Sequence, residues 1–142
     1  FVREIIEQAA IVYDSKKSAI VELGGGVPKN TAQQTGPLLD QILKRNDGGQ
    51  DYIIQITDAR PDTGGLSGAT LQEGKSWGKI HDAHEGMVTV YADTTIAFPI
   101  LALYVLSNQQ SREPKRLYKK IGELYNKLSK DYFKNPNNIK KE

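Results

Sequence analysis

Lys79 is the side chain of this sequence best suited to covalent chemistry, and it lies close to a carboxylate and an indole. Glu73 and Trp77 are four residues apart, so a helix would place both on one face. A carboxylate beside an indole suits a cationic amine, which gains a charge-assisted hydrogen bond and a cation–π contact. A lysine beside apolar neighbours can lose its proton near neutral pH and form a Schiff base. These residue types therefore indicate amine chemistry.

Each of these residues also has a purely structural interpretation. Lys79 could be a surface lysine at a helix end, where the macrodipole favours a cation. Trp77 could belong to the core side of an amphipathic helix. In a regular helix Lys79 would lie about 200° around the axis from Trp77. The two can share a site only if Gly78 ends the helix first, and we expect this because glycine is the common C-terminal cap.

A glycine triplet, Gly24 to Gly26, separates a short apolar run from a helical one. Backbone N–H groups in such a turn can face an anion. The triplet completes neither the G-x-G-x-x-G fingerprint, since Lys29 stands where the third glycine would be, nor a P-loop. A tight turn and a nucleotide contact both remain open. Asp93 has a similar position between strand and helix, where it could hold a ribose hydroxyl or cap the helix.

A metal site is the least supported interpretation of the polar residues. His81, Asp82 and His84 could ligate a metal, but nothing in the sequence positions a further ligand, so we expect no metal and two exposed histidines. The chain has no cysteine, which excludes disulfides, thiolate metal sites and a cysteine nucleophile.

The elements that must position these residues alternate between strand and helix. Apolar runs predict strands at residues 19–23, 52–57 and 87–91. Helical periodicity predicts helices at residues 1–14, 31–43, 94–106 and 114–134, with a short one that ends at Gly78. Alternation of this kind predicts an α/β fold with a Rossmann-like parallel sheet and helices on both faces. Sites in such sheets lie at the carboxyl ends of the strands, so we expect the chemistry there.

The helix after Asp93 is predicted to begin with Thr94 and Thr95 as its caps. Pro99 limits how early this helix can start without distortion. It is apolar all round, so it should be buried on most sides. Its apolar run is about half of what spans a bilayer.

Three strands are few for a parallel sheet in a chain of 142 residues. Parallel sheets need both faces covered and tolerate free edges poorly. We therefore interpret residues 1–110 as the C-terminal part of a larger α/β domain, either a fragment or a half completed by another chain. Residues 111–142 are interpreted as a basic helix and tail.

Charge divides the chain at the same place. Residues 1–110 hold 9 Lys and Arg against 13 Asp and Glu, whereas residues 111–142 hold 10 against 4. We interpret the basic tail as a solvated amphipathic helix rather than a nucleic-acid or membrane patch. Four aromatic residues recur in it at roughly helical spacing and predict a docking stripe: Tyr118, Tyr125, Tyr132 and Phe133.

Several sequence blocks, in this order and at these intervals, carry a family resemblance. They are Leu23-Gly24-Gly25-Gly26-Val27-Pro28-Lys29, Ser67-Gly68-Ala69, Ser76-Trp77-Gly78-Lys79-Ile80, Val90-Tyr91-Ala92-Asp93 and Phe98-Pro99. Together they resemble the C-terminal half of deoxyhypusine synthase, from about residue 19 to residue 106. The Ser-Trp-Gly-Lys block is specific, and the glycine triplet is much less so.

The resemblance implies an NAD-dependent transferase that moves the aminobutyl group of spermidine through an imine on an enzyme lysine. 1,3-Diaminopropane leaves, and the acceptor is a lysine of translation initiation factor 5A. It implies that Lys79 forms the imine. It implies spermidine contacts at Glu73, Trp77, Asn30, Gly64 and Ser76. It implies NAD contacts at Gly25, Asp58, Ala59, Asp93 and Thr94. It also implies a cytoplasmic homotetramer with sites at dimer interfaces.

The chain departs from the family pattern at three positions. Asn30 stands where many members have His, Leu66 where they have Asp, and Asp58 where they have Thr. The runs Val-Pro-Lys-Asn and Gly-Gly-Leu-Ser-Gly-Ala-Thr resemble the bacterial synthase-like branch, some of whose members use a free polyamine as acceptor. The family's N-terminal half is absent. Two alternatives therefore accompany deoxyhypusine synthesis: homospermidine-type synthesis, and a non-catalytic Rossmann-like partner subunit.

Overall fold

A computed structural model of the chain describes residues 2–45, 49–80 and 86–134. Its strands are β1 (Ala19–Leu23), β2 (Tyr52–Thr57) and β3 (Met87–Tyr91). Its α-helices are α1 (Val2–Asp14), α2 (Val27–Gln33), α3 (Thr35–Pro37), α4 (Leu71–Ser76), α5 (Thr94–Asn108) and α6 (Ile121–Lys134). A π-helical turn, Leu38–Ile42, continues α3, and 3₁₀ turns occur at Pro61–Thr63, Leu66–Gly68 and Leu117–Lys119.

The three strands form one parallel sheet in the order β1-β2-β3. The register pairs Glu22 of β1 with Gln55 of β2, and Gln55 with Thr89 of β3. The predicted α/β class, the parallel sheet and all three strand ranges are confirmed. Runs of aliphatic residues long enough to be a strand and too short to be a helix carried that prediction.

One face of the sheet is covered by the helices and turns that follow β1 and β2. Ile53 packs there with Leu71 of α4, Ile80 and the partly buried Met87. The polar side chain of Gln55 lies on the same face, because residues two apart on a strand share a face. This face positions the candidate site.

The opposite face of the sheet is apolar and largely exposed. α5 packs against β2. Val21 of β1 and Val88 of β3 are each 50% exposed. The prediction that α5 is buried on most sides is wrong for this chain, because none of its residues is buried. The exposed apolar residues of α5 are Ile96, Phe98, Ile100, Leu103, Tyr104, Val105 and Leu106.

The first turn of α5 differs from the prediction. Asp93, not Thr94 or Thr95, is the N-cap, and its Oδ1 accepts a hydrogen bond from the Thr95 backbone N–H at 2.8 Å. Thr94 is the first helical residue, and Pro99 lies inside the helix. Among the described residues, no helix combines the length and hydropathy needed to cross a membrane.

α2 begins at Val27, earlier than the predicted start at Thr31, because Pro28 is tolerated in the first turn of a helix. Pro37 ends α3, and the chain continues from it as the π-helical turn.

The basic tail folds back onto the first helix. Leu124 and Leu128 of α6 are buried against Ala9 and Ala10 of α1 together with Leu39. Of the predicted docking stripe, Tyr118 and Phe133 are mostly exposed and Tyr125 and Tyr132 are partly buried, so its docking role stays a prediction. α6 also begins at Ile121 rather than at residue 114.

Candidate active site

The turn after α4 brings Lys79 out of the helix. Gly78 has a φ of 70°, the left-handed conformation that glycine adopts without strain. Its N–H donates to Lys75 O at 3.0 Å, and the Lys79 N–H donates to Gly74 O at 2.9 Å. This pair of bonds is the Schellman motif. The predicted helix end at Gly78 is confirmed, and the condition for Lys79 and Trp77 to share a site is met.

Lys79 lies over the face of the sheet. Its carbonyl oxygen accepts a hydrogen bond from the Gln50 N–H at 3.1 Å, and Ile80 forms an isolated parallel bridge with Gln50. Gln50 precedes β2, so the backbone of Lys79 lies near the amino end of that strand. The expectation that the chemistry lies at the carboxyl ends of the strands stays a prediction, because the cavity that the Lys79 side chain enters is lined from α2 and from the turn that follows β2.

The Lys79 side chain reaches α2. Its Nζ donates a hydrogen bond to Asn30 Oδ1 at 2.7 Å, and the pair is partly buried. The bond joins two residues 49 positions apart in the chain. An amide oxygen accepts from an ammonium or from an amine, so Asn30 can orient Lys79 in either protonation state.

A cavity of about 180 Å³ surrounds this bond. It lies between α2, the 3₁₀ turn at Leu66–Gly68 and α4. Its lining residues are Lys29, Asn30, Gln33, Leu66, Ala69, Thr70, Glu73, Gly74, Trp77 and Lys79. Four residues singled out from the sequence thus line one cavity: Lys79, Asn30, Glu73 and Trp77.

Two predicted spermidine contacts lie outside the cavity lining. Ser76 is exposed, and its Oγ donates to the Glu73 carbonyl oxygen at 2.8 Å within α4. Gly64 lies in an exposed turn where an added Cβ would meet no atom within 4 Å. Their roles stay predictions for a surface that this cavity does not include.

Trp77 forms an exposed wall of the cavity. Its side chain is 68% exposed, so the interpretation of Trp77 as a core residue is wrong. Its other side faces a groove that includes Ile5, Pro37 and Ile42. Glu73 is also exposed, at the first turn of α4. A carboxylate and an indole at the mouth of one cavity can hold a cation.

Beneath the cavity lies a polar layer that the sequence reasoning missed. Glu22 is only 4% exposed and Lys29 only 7% exposed. Gln33 Nε2 donates a hydrogen bond to Glu22 Oε1, and Lys29 Nζ donates to the Ala69 carbonyl oxygen at 2.6 Å. The available signal was Glu22 itself, because an acid inside a short apolar strand is rare unless it has a partner.

Burial shifts the pKa of both Glu22 and Lys29. It raises the pKa of the Glu22 carboxyl, and the hydrogen bond from Gln33 and the charges of Lys29 and Lys79 offset this only in part. Burial also lowers the pKa of Lys29. The carboxylates of Glu22 and Glu73 oppose that shift, and the charge of Lys79 adds to it. Both shifts are therefore towards the neutral forms of Glu22 and Lys29.

The predicted NAD residues lie together at the carboxyl edge of the sheet. Gly24 and Gly25 follow β1 with φ values of 59° and 69°, and a Cβ added to Gly24 would lie 4.0 Å from Thr94 Cγ2. Asp58 and Ala59 follow β2, and the Ala59 N–H donates to Thr57 Oγ1 at 3.1 Å. This edge adjoins the cavity, because a Cβ added to Gly26 would lie 3.0 Å from the Cβ of Leu66, which lines the cavity.

Asp93 lies at the same edge, after β3. Its Oδ1 accepts from both the Thr95 N–H and the Thr95 hydroxyl, the latter at 2.6 Å. These two bonds hold the pKa of Asp93 below its usual range. The helix-cap interpretation is thus observed, and the ribose interpretation stays a prediction. His81, Asp82 and His84, considered above as metal ligands, lie outside the described residues.

Comparison with known proteins supports the family resemblance. A family model described as deoxyhypusine synthase matches residues 1–105. A deoxyhypusine synthase-like protein of Nostoc punctiforme is 50% identical over 136 residues, 92% of this chain. A probable deoxyhypusine synthase 2 of Archaeoglobus fulgidus is 41% identical over 117 residues, 80% of this chain. The chain spans 35% and 37% of the length of these two relatives, respectively.

Proposed function

This chain belongs to the deoxyhypusine synthase family, and on that premise we propose that it supplies the imine-forming half of a site for aminobutyl transfer. The observation that carries the proposal is the placement of Lys79, Asn30, Glu73 and Trp77 around one cavity. They come from α2 and from α4 with the turn that follows it, two segments that are far apart in the sequence. An amine nucleophile, a group that orients it and a cation-binding pair are the parts that such a transfer requires.

The donor is spermidine. Glu73 and Trp77 at the cavity mouth receive a terminal ammonium, which gains a charge-assisted hydrogen bond and a cation–π contact. Leu66 and Gly74 in the lining offer apolar contact for a methylene chain. The four-carbon segment then extends inward towards Lys79.

Lys79 attacks as a free amine. A bond forms between Lys79 Nζ and the imine carbon of the oxidised donor, and the bond from that carbon to 1,3-diaminopropane breaks. The proton lost by Nζ leaves on the departing amine. Asn30 Oδ1 fixes Nζ during attack through the hydrogen bond at 2.7 Å. An acceptor amine then displaces Lys79 by the reverse exchange.

The carboxyl edge of the sheet fits a dinucleotide. Gly25, Asp58, Ala59, Asp93 and Thr94 would hold it there, with the left-handed glycines presenting backbone rather than side chain. NAD, when bound, supplies the hydride acceptor for the donor amine and returns the hydride to the product. The part played by this chain is to hold the cofactor near the cavity and to form the imine.

The acceptor that we favour is the lysine of translation initiation factor 5A. A free polyamine is the second candidate, since Asn30 and Leu66 give this cavity a lining that differs from the family pattern. The exposed Trp77 leaves the cavity open on one side, which suits an acceptor that arrives from outside.

Residues beyond this chain complete the site. The chain spans about a third of the length of its relatives. One face of the sheet is largely exposed among the described residues. A longer chain, a partner chain or a homo-oligomer would cover that face and contribute further contacts to NAD and spermidine.

Trapping tests the proposal. The purified assembly is incubated with NAD and spermidine and reduced with borohydride, and the adduct is mapped by mass spectrometry. We expect a butylamine-sized adduct on Lys79, none in Lys79→Arg, and an unchanged adduct in the matched control Lys75→Arg on the same helix. No adduct on Lys79 in an assembly that binds NAD would leave the non-catalytic subunit as the better account. To identify the acceptor, factor 5A or a free polyamine is added before reduction. The acceptor is the molecule whose addition removes the adduct from Lys79.

A further inference from the structure

Two buried oxygens on neighbouring strands beneath the cavity have no hydrogen-bond donor among the described residues. Glu22 Oε2 and Gln55 Oε1 accept no hydrogen bond from any residue in the described part of the chain. Glu22 is 4% exposed and Gln55 is 1% exposed. Buried oxygens without a hydrogen bond are costly and need an explanation.

The register of the sheet places these two residues opposite each other. Glu22 of β1 pairs with Gln55 of β2. Paired residues of a parallel sheet project to the same face, and neighbouring strands lie about 4.8 Å apart. Two side chains of this length can therefore meet between the strands.

The orientation of the Gln55 amide is fixed by its nitrogen. Gln55 Nε2 donates to the carbonyl oxygens of Ser67 and Ala69, each at 3.3 Å. Its oxygen must then face the other way. The same reasoning fixes Glu22, because Oε1 already accepts from Gln33 Nε2 and only Oε2 remains. An ionised Glu22 would place two acceptors side by side.

We infer that Glu22 keeps a proton on Oε2 and donates it to Gln55 Oε1, as a positioning residue that leaves the Lys29–Lys79 pair without a buried counter-charge. A carboxylic acid is both donor and acceptor, so one proton satisfies both oxygens. The network then runs from Gln33 through Glu22 and Gln55 to the Ala69 carbonyl, which also holds Lys29 Nζ. The raised pKa of Glu22 agrees with this state.

A neutral Glu22 reduces the negative charge near Lys29 and Lys79. The titratable groups that act on this layer are Glu22 on β1, Lys29 on α2, Glu73 on α4 and Lys79 after α4. With Glu22 neutral, the exposed Glu73 is the remaining acid among them. Burial and the charge of Lys79 already lower the pKa of Lys29, and a neutral Glu22 removes the nearest carboxylate that would oppose this shift. The positioning role rests on the proposed function, whereas the protonation of Glu22 does not.

Isotope-edited infrared spectroscopy of the full assembly tests the protonation directly. With ¹³C-labelled glutamate, we expect a protonated-carboxyl C=O band near neutral pH that disappears in Glu22→Gln. The matched control Glu7→Gln removes a partly buried acid that pairs with the exposed Arg3, so it should leave the band in place. A wild-type spectrum without the band, or a band that survives in Glu22→Gln, would overturn the inference.

Trapping of Lys79 tests the positioning role. Glu22→Gln copies the neutral acid, so it should form the Lys79 adduct as well as the wild type does near neutral pH. The ratio of mutant to wild-type adduct should rise at higher pH, where only the wild type gains a buried carboxylate that attracts the lysine side chains above it. Loss of the adduct in Glu22→Gln, while wild type is trapped, would overturn the positioning role and leave the transferase standing. Failure of the wild type to be trapped would reject the transferase, and the infrared band would still decide the protonation.

Discussion

Lys79 Nζ lies 2.7 Å from Asn30 Oδ1, and this bond joins the turn after α4 to the middle of α2. Each residue depends on a different structural device. Asn30 is placed by a helix that begins at the glycine triplet, and Lys79 by the left-handed turn at Gly78. The candidate nucleophile is thus oriented by tertiary structure rather than by local sequence.

Removing the amide of Asn30 should slow the formation of the Lys79 adduct. Asn30→Ala deletes one partly buried hydrogen bond, so we expect the unfolding free energy to fall by about 0.5–1.5 kcal/mol. The control Asn108→Ala removes an exposed amide that bonds only within α5, to Tyr104 O. It should change neither the trapping rate nor, by more than about 0.5 kcal/mol, the stability. Equal trapping rates for Asn30→Ala and wild type would contradict the orienting role.

A side chain at residue 78 should displace Lys79. In Gly78→Ala the left-handed turn costs about 1–2 kcal/mol, and relief of that strain would move the nucleophile away from Asn30. The matched control is Gly122→Ala in α6, where a Cβ meets no atom within 4 Å and should stabilise the helix by about 0.5–1 kcal/mol. Thermal unfolding and trapping of both variants distinguish the two sites. Full trapping in Gly78→Ala would show that the turn is not needed.

Trp77 should contribute to substrate binding and little to stability. Its indole is 68% exposed, so Trp77→Ala should cost well below the roughly 3–5 kcal/mol of a buried tryptophan. Loss of a cation–π contact should weaken spermidine binding by about 0.5–2 kcal/mol. Calorimetric titration of the assembly with spermidine measures this, and denaturant unfolding provides the comparison. A large loss of stability with unchanged affinity would contradict the cavity-wall role.

The raised pKa of Glu22 predicts how stability depends on pH. The folded protein holds the Glu22 proton more tightly than the unfolded chain. The resulting stability is complete below the ordinary glutamate pKa, about 4.3, and is lost as pH rises through the raised pKa of Glu22. Glu22→Gln cannot ionise, so the wild type should lose stability relative to this variant across that window. Denaturant unfolding at several pH values measures the difference in unfolding free energy between the two proteins, which should not change by more than about 1.4 kcal/mol per pH unit. If this difference does not depend on pH, Glu22 is not a neutral acid in the folded protein.

The bare side of α5 should be a contact surface. Ile100→Asp places a charge on a residue that is 68% exposed in this chain, so the fold of residues 1–142 should tolerate it within about 0.5 kcal/mol. A charge buried against a partner or a preceding segment would instead weaken assembly. Size-exclusion chromatography of the full protein compares Ile100→Asp with Lys119→Asp, a control on the exposed 3₁₀ turn. Identical elution of both variants as intact assembly would contradict a covered α5.

The strands and the end of α4 were predictable from sequence because local chemistry determines them. Aliphatic runs bounded by polar turns define β1, β2 and β3, and Gly78 defines the helix end. The exposure of Trp77 and the burial of Leu124 were not predictable in this way. Both depend on which helix packs where, and in α6 the leucines, not the aromatic residues, meet α1.

The candidate site was predictable only in its upper layer. Glu73, Trp77 and Lys79 are close in sequence, and their residue types indicate amine binding. Glu22, Lys29 and Gln33 come from a different βα unit, and only the sheet register and the return of α4 place them underneath. A single sequence contains no direct record of that register, so the buried acid was missed.

The apolar surface of α5 affects the amount of this protein that accumulates in a cell. A copy made without its covering partner displays a long apolar helix, which is the kind of surface that chaperones and proteases recognise. Unassembled copies would then be degraded while assembled copies persist. Turnover, more than synthesis, would set the ratio of this chain to whatever covers it.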